Sequence, residues 1–136
     1  MKELTIEAKT ENLETVRKFI KAELQAADCP MKPRAHIYLA VEEIFVNIAH
    51  YAYEPETGGT VVRIDIGDEV VVEFEDGGKP YNPLEKDDPD ITAGLEERPI
   101  GGLGIFMVKN VMDAVEYRHK DNKNILVIKK ALRVCS

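Results

Sequence analysis

In the opening stretch "LTIEA", apolar residues Leu4, Ile6 and Ala8 alternate with Thr5 and Glu7, the two-residue period of a half-buried strand. From Leu13 the period lengthens. Leu13, Val16, Phe19, Ile20, Leu24 and Ala27 recur at steps of three and four, one stripe of an amphipathic helix. "CPMKP" interrupts it, and Pro33 is suited to the first turn of a second helix predicted to run to about Tyr53. Beyond "EPETGG" come two alternating runs, "TVVRIDI" and "EVVVEFE", joined by Gly67-Asp68. That pattern predicts a hairpin with Gly67 at a positive φ. Val62, Ile64 and Ile66 fall on one side of its first strand and Arg63 and Asp65 on the other, so only one face of the sheet is expected to be deeply covered.

Residues 77 to 100 lose all periodicity and carry four prolines, three glycines and many charges. A segment that long inside a compact domain marks function or disorder more often than simple connection. "GGLGIFMVKNVMD" then predicts a helix behind a glycine cluster, and "AVEYRHK" and "ILVIKKAL", linked by "DNKN", predict a closing hairpin. The order is strand, two helices, hairpin, long loop, helix, hairpin. It predicts a single α/β (α+β) domain over 1–136. Its architecture would be a two-layer sandwich with a mixed, mostly antiparallel sheet of about five strands and three helices on one face. A dinucleotide-binding fold would alternate strand and helix throughout, which this chain does not do.

Composition narrows the partners. A hydrophobic content of 44% and a charged content of 32% are those of a globular protein, and a net charge of −7 opposes nucleic acid or an anionic membrane as partner. The start of the chain shows no signal-peptide core and no apolar run nears the ~20 residues of a membrane span, so a cytoplasmic protein is expected. Cys29 and Cys135 lack metal-ligand spacing, and reduced thiols are the default.

Three clusters are candidates for chemistry. On the second helix, Ile37, Val41, Ile44, Phe45, Ile48 and Ala52 form an apolar arc, while His36, Glu43, Asn47 and His50 lie opposite, Glu43 and Asn47 one turn apart. A solvated polar face is the simplest reading, yet Leu39, Ala40 and Val46 break it up. The second cluster is Asp76-Gly77-Gly78 at the end of an alternating strand. A hairpin turn would need another strand at once, and Pro80 and Pro83 oppose that. A carboxylate at a strand end suits a ligand amine such as that of adenine, with Gly78 allowing a flat ring near the backbone. In the third cluster, Gly101, Gly102 and Gly104 flank Leu103 at the mouth of a helix, where bare N–H groups and the helix dipole attract an anion. Neither a dinucleotide fingerprint nor a Walker motif is present. Arg98 and Lys86 are candidate phosphate contacts, and His119 reads as structural or exposed; no nucleophile–base triad is legible.

In order, these are E-x-x-x-N on a helix, D-x-G after a strand and G-x-G opening a helix: Glu43 to Asn47, Asp76 to Gly78, and Gly102 to Gly104. The set resembles the ATP-binding motifs of the GHKL (Bergerat-fold) superfamily over essentially the whole chain. The wording "VEEIFVNIAHYAY", "DGGKPYNP" and "GGLGIFMVKNVMD" is similar to bacterial anti-sigma-factor serine kinases. The resemblance implies Mg²⁺-ATP as donor, with Asn47 as metal ligand, Glu43 as general base and Asp76 on the adenine amine. It further implies Gly78 beside the base, Gly101, Gly102, Leu103 and Gly104 around the phosphates, and residues 83–100 as an ATP lid. It also implies an anti-anti-sigma (STAS-type) protein and a sigma factor as partners, and a homodimer. One departure is Tyr51 where members of this branch often carry a His four residues after the Asn, with His50 one place earlier. A second departure is a lid longer than in the shortest members, so the resemblance aligns Arg98 with no particular phosphate-contacting arginine and leaves it a candidate phosphate contact.

Four readings follow: an ATP-dependent protein serine/threonine kinase, a nucleotide-gated protein-binding module without turnover, the catalytic module of a histidine kinase, and a structural domain without nucleotide. The third is disfavoured because no dimerisation helix with an acceptor histidine precedes the motifs.

Overall fold

The computed structural model describes residues 2–52, 58–80, 82, 84 and 102–132. The chain forms β1 (Lys2–Glu7), a short 3-10 turn (Thr10–Asn12), α1 (Leu13–Ala26), α2 (Met31–Tyr51), β2 (Gly59–Ile66), β3 (Glu69–Asp76), α3 (Gly102–Val111), β4 (Ala114–Lys120) and β5 (Lys123–Ala131). The strands lie in the order β1-β2-β3-β5-β4. Every pairing is antiparallel, where the sequence predicts a mixed sheet. The reason is positional: β5 sits between β3 and β4, so the crossover through α3 never sets two parallel strands side by side.

One buried cluster joins the layers. Val16, Ile20 and Leu24 of α1, Ile37, Ala40, Val41, Ile44 and Phe45 of α2, and Val108 of α3 meet Val62, Ile64, Val70, Val72, Phe74, Leu126 and Ile128. All the strand residues in that cluster share one parity, so the helices cover one face. The other face carries charge, with the Arg63 guanidinium bridging Glu3 at 2.8 Å and Glu73 at 3.2 Å, and Lys129 meeting Glu116 at 3.1 Å. Ion pairs on a partly solvated surface contribute little to stability, so the helix-covered face holds the fold together.

Local chemistry sets the joints. α1 ends in a Schellman motif, in which the Asp28 N–H reaches the Gln25 carbonyl at 3.1 Å and the Cys29 N–H reaches Leu24 at 3.0 Å. Asp28 occupies the left-handed position at φ 54°, which the short Asp side chain tolerates. Cys29, a free thiol, is buried there, and burial pushes its pKa up. Two turns differ from expectation. The β2–β3 ladder closes at Ile66↔Val70, leaving Gly67, Asp68 and Glu69 outside the β2–β3 pairing. Gly67 does not take a positive φ, because this longer connection does not impose the mirror-image turn. The β4–β5 turn is shorter than "DNKN": only Asp121 and Asn122 form it, at φ 54° and 62°, the signature of a type I′ turn, and Lys123 and Asn124 join β5.

His36, on α2, marks a buried cost. Its Nδ1 is buried and, among the described residues, has no hydrogen-bond partner. Burial lowers its pKa, aided by the charges of Lys130 and Lys32 and opposed by Asp113. The fold therefore keeps the ring neutral while the unfolded chain takes up the proton more readily, so this contribution is intact above the ordinary histidine pKa and is lost as pH falls below it. Acidification from about pH 7.5 to about pH 5.5 is expected to lower the melting temperature of the wild type more than that of His36→Gln, measured by scanning calorimetry at constant ionic strength. Equal slopes would remove His36 from the account.

Candidate functional site

Alternation along β3 carries Val70, Val72 and Phe74 inward, and the same parity carries Asp76 inward at the strand's end. Its side chain is 5% exposed. A carboxylate in that setting needs hydrogen bonds to offset lost hydration. Oδ1 receives two, from the Gly78 N–H and from the Asn124 side-chain amide, each at 2.9 Å. Among the described residues, Oδ2 receives none. Thr60 of β2 and Asn124 of β5 stand directly opposite Asp76 on either side. Thr60, Asp76 and Asn124 are the buried polar residues of the described chain, and they form one row across the sheet. The Thr60 hydroxyl donates to the Glu75 carbonyl at 2.9 Å. The Asn124 amide also donates to the Lys79 carbonyl at 2.8 Å, and its Oδ1 accepts the Tyr117 hydroxyl.

The turn after β3 is fastened to the end of α2. The Lys79 N–H donates to the Ala52 carbonyl at 2.8 Å, and a Cβ on Gly78 would stand 2.2 Å from that oxygen. The close approach that Gly78 permits is therefore that of Ala52, a reason for glycine distinct from the approach of a flat ring. This contact brings Asp76 to the helix that bears the first cluster. Asn47 is five residues back from Ala52, about 7.5 Å along the axis, and Glu43 one turn further. Both are half-buried, and among the described residues neither makes a side-chain hydrogen bond or ion pair. The adjacent Glu42 is committed to Arg17 of α1 at 2.6 Å. His36 lies toward the other end of α2, beside Lys130, apart from this group; His50 is exposed.

α3 packs on α2. It begins at Gly102, so Gly102, Leu103 and Gly104 make its first turn, whereas the sequence places the glycines ahead of the helix. Helix geometry still leaves the first N–H groups without intrahelical partners. Gly101, Arg98 and Lys86 lie outside the described residues, as does the expected lid except Leu84, whose N–H donates to Asn82 Oδ1 at 2.9 Å.

Residues 6–130 match the family described as histidine kinase-like ATPase domain. The chain belongs to that family. The GHKL resemblance read from its motifs is thereby borne out. An anti-sigma F factor of Caldanaerobacter subterraneus subsp. tengcongensis is 31% identical over 129 residues, 93% of this chain and 90% of that protein. A serine-protein kinase RsbW of Bacillus mycoides is 24% identical over 132 residues, 93% of this chain and 82% of that one. The crystal structure of the RsbU and RsbW domains of Rv1364c from Mycobacterium tuberculosis aligns with a TM-score of 0.64 at 14% identity, covering 97% of this chain and 33% of that chain. That likeness supports the fold. Asn124, Tyr117 and Thr60 are absent from the sequence-level candidates. Their signal was parity: Thr60 and Asn124 are polar residues in line with the apolar positions Val62 and Ile64, and Leu126 and Ile128.

Gly78→Ala is expected to destabilise the protein by about 2 kcal/mol or more, since backbone must shift to admit the methyl group. Urea unfolding measures it, and a loss under ~0.5 kcal/mol would show that the Ala52 contact is dispensable.

Proposed function

We propose that the chain is an ATP-binding protein serine/threonine kinase of the anti-sigma type. It would transfer the γ-phosphate of Mg²⁺-ATP to a serine of an anti-anti-sigma (STAS-type) partner and bind a sigma factor. It would work in the cytoplasm as a homodimer. The observation that carries this reading is a buried Asp76 whose Oδ2 receives no hydrogen bond from the described residues, next to a turn fastened to the helix that bears Glu43 and Asn47. The names of the relatives support the partner and the reaction.

In this reading Asp76 Oδ2 accepts from the adenine amine, and the carboxylate's rigidity sets the base's position. The N–H groups at Gly102, Leu103 and Gly104 hold phosphate oxygens, with Gly101 and Arg98 supplying the approach from the lid side. Among the described residues no group of three or more His, Cys, Asp or Glu side chains is placed to hold a metal ion. Asn47, half-buried and with an amide carbonyl that no described residue uses, fits a cation that takes one protein oxygen and fills its remaining positions from phosphate and water, as Mg²⁺ does. Bound there, the ion would neutralise charge on the phosphates. Glu43, one turn away, accepts the proton of the serine hydroxyl as general base. Residues 83–100 exclude water from the transfer.

Glu43→Gln is expected to bind ATP with wild-type affinity and to lose at least ~100-fold in transfer of labelled phosphate to a serine-bearing STAS-type partner, followed by autoradiography. Asp76→Asn is expected to weaken ATP binding by ~10-fold or more in calorimetric titration, because an amide presents a weaker acceptor than a carboxylate. Wild-type binding without transfer would leave a nucleotide-gated binding module. A melting temperature unmoved by saturating Mg²⁺-ATP would end the nucleotide reading, since a ligand at 100 times its dissociation constant adds about 2.7 kcal/mol.

A further inference from the structure

The row across the sheet ends in a second layer of side chains whose arrangement has its own consequence. An Asp at a strand end offers two equivalent oxygens and turns freely about its last torsion. Asp76 does not have that freedom. Two donors converge on Oδ1, the Gly78 N–H and the Asn124 Nδ2–H, both at 2.9 Å. They orient the carboxylate plane and, among the described residues, leave Oδ2 as its open acceptor.

One of those donors is conditional. A side-chain amide is nearly symmetric in shape, and rotated by half a turn Asn124 would set its oxygen against the Asp76 carboxylate. Two features oppose the rotation. On the nitrogen side stand three acceptors: Asp76 Oδ1, the Lys79 carbonyl at 2.8 Å and the Gly78 carbonyl at 3.4 Å. On the oxygen side the Tyr117 hydroxyl donates to Oδ1. Tyr117 lies on β4, two positions before the residue opposite Asn124, so the sheet holds it in place. Asn124 is 6% exposed, which leaves water little room to substitute for either partner.

We propose that Tyr117 and Asn124 are positioning residues that lock the Asp76 carboxylate with Oδ2 toward the ligand, and thereby set the preference for a purine bearing an amine at its six-position over one bearing a carbonyl there. This rests on the nucleotide reading above. A locked Oδ2 welcomes an N–H and repels a carbonyl oxygen; a carboxylate free to turn away discriminates less. A role in stability alone would weaken both purines alike.

The test compares ADP with inosine 5′-diphosphate, which differs at that position by a carbonyl for an amine. Both are titrated calorimetrically into wild type, Tyr117→Phe and Asn124→Ala, with melting curves establishing that each protein is folded at the assay temperature. Tyr117→Phe keeps the ring and removes only the hydroxyl, so it serves where Asn124→Ala fails to fold. The ratio of ADP to inosine diphosphate affinity is expected to fall by ~5- to 10-fold in Tyr117→Phe, the loss of one hydrogen bond, and by at least as much in Asn124→Ala. An unchanged ratio in folded Tyr117→Phe, with wild type binding ADP, overturns the lock and leaves the nucleotide reading intact. A wild type that binds neither nucleotide overturns both.

Discussion

A carboxylate placed in the interior of a sheet is stable only where donors surround it, and much of the architecture around Asp76 meets that demand. Its own strand can supply little. The donors come from the turn that follows, through Gly78, and from the neighbouring strand, through Asn124. Each needs support in turn. The turn is fastened to the end of α2 at Ala52, and Asn124 is held by Tyr117 of β4. A single polar group thereby ties a helix and three strands to one point. In the surrounding core, by contrast, packing is apolar and roughly interchangeable in chemistry.

The site's geography follows from α2. That helix buries Ile37, Val41, Ile44 and Phe45 in the core, which fixes its rotation about its axis. Fixed rotation in turn places Glu43 and Asn47 along one line, one turn apart, with the helix end at Ala52 marking where the sheet's polar row begins. α3 lies along the same helix with its glycine-bearing turn foremost. Helices α2 and α3 and strand β3 carry Glu43, Asn47, Gly102 to Gly104 and Asp76, which suits a reaction that depends on positioning.

Element types and order were legible in the chain because strong periodicity survives without context: the stripe of α1, the alternation of β2 and β3, the breaks at "CPMKP" and "EPETGG". What escaped depended on the partner strand. The all-antiparallel sheet arises because β5 inserts beside β3, a pairing between distant segments that no local pattern records. Gly67 reads as a mirror-image turn by composition, but the ladder closes one residue later on the β3 side. Of the site, Glu43, Asn47, Asp76 and Gly78 stood out as an ordered set of motifs. The reason for Gly78 did not, since only the folded chain brings Ala52 against it. Asn124 was hidden inside a string of turn-forming residues, and its role became visible once the turn proved to be two residues long.

That short β4–β5 turn has a consequence at a distance. With Asp121 and Asn122 alone bridging the strands, the parity of β5 is set within two residues of Asn124. Side chains alternate strictly along a strand, so a one-residue slip of β5 would carry Asn124 to the charged outer face and bring Ile125 against Asp76. Chain length at a solvent-exposed bend therefore governs which side chain meets the buried Asp76 carboxylate. A bend that never touches the carboxylate thus fixes one of its hydrogen-bond donors.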